Sequence, residues 1–599
     1  MSLWSRLKRE VTYARALRRL LKRVEPIALD SPDLACDDLE AAVDRWPDNV
    51  AIIGEDRQVT YSELDALANR FAHWAVGRQI RRGETVALVM PNRIEFIACW
   101  FGLSKVGVAT ALVNNNLTGA ALAHSLSICG AAHVIADHET WRAVEDARAG
   151  VDRPLMLWVM GLRAEDEASD RRGLDMAVKG ASGVRPDRSV RAGLTNRDTA
   201  LYIYTSGTTG LPKAARIVHS RARLYMRAFA ACTRTVESDR LYCVLPLYHS
   251  TGGLCGVGSA LLNGAAIVLR KRFSASQFWP DVVEHGCTRF VYIGELCRYL
   301  VNQPEHPLER GHRLQLVFGN GLRPDVWPEF KRRFAIPEIL EFYGSTEGNV
   351  SLFNFDGRPG AIGRAPAWLR SKINVRLVRF DVETETPVRG TDGLCREARP
   401  GEIGEAIGRI ADDARHAYTG YADKAASEKK VLSDVFARGD AWFRTGDLMR
   451  QDSEGYFYFV DRIGDTYRWK GENVSTTEVA ERLSGAPGVQ EAIVYGVAVP
   501  GTDGKAGMAA LITEGKFSPK AFAAFVDQEL PPFARPVFVR LQGGLATTGT
   551  FKYRKVDLVS EGFDPERTAD PLYVRDARGG YVRITPERYA TLAAGTAKL

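Results

Sequence analysis

From about residue 45 to 200, short apolar runs alternate with helix-periodic stretches, and no other feature restricts the fold so tightly. Thr85–Met90, Ala109–Val113, His133–Ala136 and Leu155–Val159 read as strands, and Arg93–Lys105 and Gly119–Cys129 between the first three read as helices. Such alternation builds a layered α/β domain. Gly161–Asp198 is charged and reads as an excursion, after which the alternation resumes to about residue 360. Residues 380–404 are turn-rich, and a smaller mixed α/β unit follows from about 465. A chain of 599 residues exceeds one compact core, so several domains are expected.

Apolar residues make up 45% and charged residues 26%, which excludes wholesale disorder. The net charge of +7 is small for this length and by itself selects no partner. The nine cysteines contain no CxxC pair and read as reduced thiols in a cytosolic setting. The apolar run Phe96–Val113 carries Lys105, Gly258–Leu269 is too short to span a bilayer, and no secretory signal is read, so a soluble or peripheral protein is expected.

Residues 1–24 form a separate feature. Trp4, Leu7, Val11, Ala14, Leu17, Leu21 and Val24 recur at three- and four-residue spacing, among eight basic residues and the single acid Glu10. This helix either lies in the headgroup region of an anionic membrane or docks on its own protein with a solvated basic face.

The strongest chemical signal is Leu201–Lys213. An apolar strand runs into a loop of hydroxyls and glycines, Thr205, Ser206, Gly207, Thr208, Thr209 and Gly210, and ends at Lys213. Glycines admit close backbone approach, successive N–H groups cradle an anion, and a lysine adds a compact charge. Pro212 before the lysine and Ala214 after it break P-loop spacing.

The segment resembles the phosphate-binding signature of the adenylate-forming (AMP-binding) enzymes, closest to the fatty-acid transport protein, or very-long-chain acyl-CoA synthetase, branch. Further matching segments follow in the family's order, and together they span about residues 45–590. In Glu341–Asn349 the resemblance implies that Tyr343 stacks on adenine, Gly344 and Ser345 line the nucleotide, Thr346 contacts the α-phosphate and Glu347 holds Mg²⁺. Gly319–Asn320–Gly321 is similar to the loop that closes over adenine. Asp447 would accept both ribose hydroxyls and Arg462 would reach the nucleotide. Gly464 or Asp465 would be the hinge, and Gly471 would lie against the pantetheine of coenzyme A. Lys552 is the candidate catalytic lysine and Lys555 a weaker one.

The resemblance thus implies an α/β multidomain enzyme: a large AMP-binding domain over 45–463 and a smaller mobile α+β domain over 464–599. Its substrates would be ATP with Mg²⁺, coenzyme A and a long-chain fatty acid, with no nucleic acid involved. Tyr248 and His249 stand where amino-acid-activating relatives usually carry an aspartate, and His249 is either a gate at the carboxyl end or a packed side chain. Gly256, Gly258 and Gly264 would either leave room for an acyl tail or serve packing. Two other readings stand beside the CoA ligase: an acyl-AMP ligase loading a carrier protein, and a fatty-acid uptake factor at the inner face of the cell membrane that traps its cargo by esterification.

Overall fold

The computed structural model describes residues 3–595 except 26, 206–210, 371, 383, 470–471, 501, 503 and 545–554. The chain divides into two compact units, Met1–Arg364 with Gly408–Leu432, and Ala365–Ile407 with Ser433–Leu599. Arg376–Asp381, Ile403–Arg409, Ala441–Gln451 and Tyr456–Arg462 lie side by side in one sheet.

Two sheets organise the first unit. One runs from Arg171–Gly173 through Met156–Met160, His133–Asp137, Thr85–Val89, Ala109–Leu112 and Thr199–Thr205 to Lys213–Val218. Its strands are parallel until the last pair, and Val86 sits between Thr110 and His133. The other sheet places Glu338–Gly344, Leu316–Asn320, Arg289–Ile293, Arg240–Cys243, Ala266–Leu269 and Val50–Ile53 in parallel, with an antiparallel strand at each edge. Parallel order follows from the helical crossovers between strands.

Both apolar runs that were candidates for a membrane span are core. Helix Ile94–Lys105 is buried on every face, and Gly107, at φ +73°, turns it into strand Ala109–Leu112. Lys105 is buried there because Asp65 and Glu40 pair its ammonium. No helix among the described residues is long and apolar enough to cross a membrane. All nine cysteines are free and buried.

The N-terminal helix, Leu3–Arg23, docks on its own unit. Tyr13 donates its hydroxyl to the Arg364 carbonyl at 2.6 Å, Glu10 pairs the Arg364 guanidinium, and Arg23 reaches the Leu262 carbonyl at 2.7 Å. The docked face runs through Tyr13, Ala16 and Val24, whereas Trp4, Leu7, Val11 and Leu21 of the expected apolar face are exposed, Trp4 at 81%.

In the second unit the C-terminal sheet orders Val489–Ala498, Lys505–Thr513, Phe538–Leu541, Leu572–Arg575 and Tyr581–Arg583. Its core includes Leu483, Val526 and Phe538. Helix Thr476–Leu483 starts where the Ser475 hydroxyl accepts the Glu478 N–H, and Pro519 opens helix Pro519–Glu529, where its missing N–H costs nothing.

Candidate active site

In the first unit the phosphate-loop candidates sit at a hairpin. Strands Thr199–Thr205 and Lys213–Val218 are antiparallel with Thr205 directly opposite Lys213. Ser206, Gly207, Thr208, Thr209 and Gly210 lie outside the described residues. A segment distant in sequence closes beside this hairpin: Ala422 donates its N–H to the Ala214 carbonyl at 2.8 Å, and Thr419 its hydroxyl to the Arg216 carbonyl at 2.7 Å. It delivers Tyr421, over whose ring the Lys213 ammonium lies at 5.8 Å. The Tyr421 hydroxyl donates to Glu347 Oε1 at 2.6 Å. Burial, reinforced by the Glu347 carboxylate, pushes the Tyr421 phenol up and keeps it a donor. Tyr421 therefore links the lysine and the carboxylate, a role the sequence did not reveal.

The adenine-side candidates stand at the carboxyl ends of adjacent parallel strands, where ligands of open α/β sheets gather. Strand Leu316–Asn320 ends at Asn320, and its neighbour Glu338–Gly344 carries Tyr343 and Gly344. Gly321 follows at φ +80°, a left-handed conformation that favours glycine. Tyr225 holds the turn beyond, donating its hydroxyl to the Ser345 carbonyl at 2.9 Å, while the Thr346 and Ser250 hydroxyls meet at 3.2 Å. Asn320 Oδ1 and Ser345 Oγ are buried without a hydrogen-bond partner among the described residues. Buried polar atoms are ordinarily paired, so these two fit a polar ligand such as a nucleotide. Glu347 is the hard oxygen donor present. A single carboxylate completed by phosphate oxygens and water suits Mg²⁺.

At the acyl-site candidates, the Tyr248 and His249 rings lie 4.5 Å apart, and Asn116 donates to the Tyr248 hydroxyl at 3.4 Å. A π-helical turn, Thr251–Gly256, follows. Such wide turns are common at functional sites. The glycines beyond it serve packing. A Cβ at Gly258 would meet the Met226 Cα at 2.4 Å, and one at Gly264, at φ +77°, would strike the Trp46 ring at 2.5 Å.

The second unit holds the other candidates. Asp447 pairs with Arg462 across antiparallel strands, with Arg462 Nε 3.8 Å from Asp447 Oδ1. Gly464 stands at φ +91° with no atom of the described residues within 4 Å of a notional Cβ. Asp465 accepts from Lys555 Nζ at 3.2 Å, and Lys555 also donates to Thr476 Oγ1 at 2.8 Å. Thr476 in turn donates its N–H and hydroxyl to Asp461 Oδ2. Burial pushes the Asp461 carboxyl up, while the Lys555 ammonium and the Thr476 hydrogen bond oppose that shift. Gly471 and Lys552 lie outside the described residues.

The model of the AMP-binding enzyme family matches residues 39–405, and that of the AMP-binding enzyme C-terminal domain matches 478–552. Long-chain fatty acid transport protein 3 of Homo sapiens is 45% identical over 523 residues, covering 86% of this chain and 76% of that protein. Long-chain fatty acid transport protein 1 of Homo sapiens is 42% identical over 563 residues, covering 93% and 87%. Among solved structures, the anthranilate CoA ligase AuaEII in complex with anthranoyl-AMP superposes with a TM-score of 0.74 at 22% identity, covering 89% of this chain and 98% of its own. A Mycobacterium tuberculosis fatty acyl CoA synthetase superposes with a TM-score of 0.61 at 23% identity, covering 88% and 98%. At these identities the structural likeness establishes a shared fold.

Proposed function

The chain belongs to the AMP-binding enzyme family, and on that premise we propose that it is an ATP-dependent long-chain fatty acid–CoA ligase acting through an acyl-adenylate. The observation that carries this reading is the gathering, in one unit, of Lys213, Tyr421, Glu347 and the unpaired Asn320 and Ser345 atoms. The long-chain fatty acid comes from the names of the relatives.

In the first half-reaction the fatty carboxylate oxygen attacks the α-phosphorus of ATP and pyrophosphate leaves. Charge grows on phosphate oxygens, so fixed cations and N–H donors supply most of the rate enhancement. Lys213 holds the pyrophosphoryl end, and Thr346 bonds the α-phosphate. In the second unit Asp447, with Arg462 beside it, is the carboxylate whose two oxygens suit a ribose diol, the role the family resemblance implies. Glu347, oriented by Tyr421, would hold Mg²⁺, which supplies charge neutralisation on the phosphates. Lys552 bridges the carboxylate and the α-phosphate. Lys555 is engaged by Asp465 and Thr476, which favours Lys552 for that task. In the second half-reaction the CoA thiolate attacks the acyl carbonyl and AMP leaves. A pivot at Gly464–Asp465 would withdraw Lys552 and admit the thiol, with Gly471 against the pantetheine as the resemblance implies; no described atom lies within 4 Å of a notional Gly464 Cβ, which suits a pivot.

The test is incubation with ATP, Mg²⁺, CoA and a panel of acids, read by mass spectrometry. Long-chain acyl-CoA with AMP and pyrophosphate is expected. Acyl-AMP that accumulates with free CoA present would select the carrier-protein reading, and preference for acetate or benzoate would overturn the substrate.

A second proposal concerns place. The outward stripe Trp4, Leu7, Val11 and Leu21, flanked by Lys8, Arg15, Arg18 and Lys22, favours peripheral attachment to an anionic membrane, on the cytoplasmic side. Esterification there would trap an incoming fatty acid.

A further inference from the structure

We propose that Glu341 is the positioning residue that sets the loop 319–322 over the nucleotide. The inference rests on the adenylate-forming reading above and concerns a side chain two residues before Tyr343, on the same strand and buried among its neighbours.

Glu341 ties together three strand ends. Its Oε1 accepts the Leu322 N–H at 3.1 Å, and its Oε2 is hydrogen-bonded to the Tyr292 hydroxyl. Leu322 closes the glycine-flanked loop that begins at Gly319, and Tyr292 lies in the neighbouring strand Arg289–Ile293. Backbone packs on backbone around this point. A Cβ at Gly319 would meet the Tyr292 carbonyl at 2.1 Å, and one at Gly294 would meet the Gly321 carbonyl at 1.7 Å. The loop is wedged there against the Tyr292 backbone and ring, and Glu341 is the side chain that takes the Leu322 N–H at its end. Asn320 rides on this loop, and its Oδ1, buried without a partner among the described residues, is an acceptor left for a donor such as a base amino group. A shift at Leu322 is thus passed to the atom that reads the base.

The carboxyl does this work uncharged. Burial pushes its pKa up to about 8, against the opposing pull of the Tyr292 and loop hydrogen bonds. The titratable groups facing it are Tyr292 from the neighbouring strand and Cys297 from helix Gly294–Val301, both themselves pushed up by burial, and the loop offers backbone N–H groups. No cation stands among these described groups, so a carboxylate left when the proton goes has only those hydrogen bonds to offset its burial. Because Oε1 accepts from Leu322, the proton belongs on Oε2 toward Tyr292. A glutamine reproduces this arrangement, its carbonyl taking the Leu322 N–H and its amide donating to Tyr292 Oη.

ATP affinity of the full chain, measured by calorimetry from pH 7 to 9.5, tests this directly, with Mg-tripolyphosphate as a probe that lacks adenine. Wild type should lose about tenfold in ATP affinity above pH 8, while Glu341→Gln should bind normally at pH 7 and stay flat. Tyr292→Phe, which removes one bond and leaves the core volume, should weaken ATP about three- to tenfold at pH 7 with a melting transition that is lowered but still cooperative. Tripolyphosphate should follow neither variant. A Glu341→Gln profile that falls with pH as wild type does, or a tripolyphosphate loss as large as that of ATP, would refute the positioning role. Wild type that binds tripolyphosphate but no ATP at any pH would instead remove the nucleotide reading on which the inference stands, and the inference with it.

Discussion

Removing a single hydroxyl tests the phosphate end of the site. Tyr421→Phe deletes the hydrogen bond to Glu347 and keeps the ring under Lys213, so the fold should survive while the carboxylate loses its orienting partner. The Mg²⁺ concentration for half-maximal pyrophosphate exchange should rise about tenfold, in the range seen when a partner of a metal ligand is lost. An unchanged Mg²⁺ requirement would remove Tyr421 from the site. His219 makes a second residue-scale case. Ala35 donates its N–H to His219 Nδ1 at 3.3 Å, where helix Ala35–Arg45 begins, and burial pulls the imidazole pKa down to about 3. The unfolded chain takes up a proton near pH 6.5 that the folded chain refuses, so this stability is complete above 6.5 and drains as pH falls toward 3. Denaturant unfolding should lose about 2 kcal/mol between pH 7 and 5 in wild type and less in His219→Gln. Glu347 and Asp447 could be singled out from the sequence because a short motif carries the chemistry expected of them. Tyr421, His219 and Glu341 were not, because their meaning lies in partners 74, 184 and 49 residues away.

Among the elements, strands and helices of the first half lay within a residue or two of their apolar patterns, since one face or both must be buried. The N-terminal helix was harder. Its period reveals apolar positions, but it carries two stripes, and only the tertiary contacts of Tyr13 decide which one docks. Gly258 stayed open between its two readings for a similar reason, because a glycine against Met226 and a glycine lining a tunnel look alike in sequence. The outward stripe is separable from the docked one. Replacing Trp4, Leu7 and Val11 by serine should leave the melting transition intact and release the protein from anionic vesicles. Each of these side chains contributes about 1.5–3 kcal/mol when fully buried, and partial insertion contributes less. High salt should weaken wild-type binding too, by screening the basic flanks. Sedimentation with vesicles that ignores lipid charge, salt and these three residues would leave the helix as a docked brace and nothing more.

For the molecule as a whole, the division of labour between half-reactions is the sharpest expectation. Lys552→Ala should lose acid-dependent pyrophosphate exchange by about 10²–10³, as when a charge-stabilising donor is removed, yet still convert supplied acyl-adenylate and CoA to thioester. Equal loss of both steps would refute the alternating role. The α/β class and the order of the motifs were readable from end to end. The grouping of 365–407 with the C-terminal half was not, because sheet partnership between distant strands leaves no local mark. The nine cysteines carry one further consequence. All are buried, and burial pushes the thiols up, Cys36 to about 11. The native chain is therefore quiet toward maleimides, and a thiol introduced at an exposed site such as Arg482 or Trp368 would take a dye or spin label there without mutation of the natural set. Paired labels on either side of Gly464 would let the proposed pivot be watched during turnover, in a protein whose own thiols are all buried.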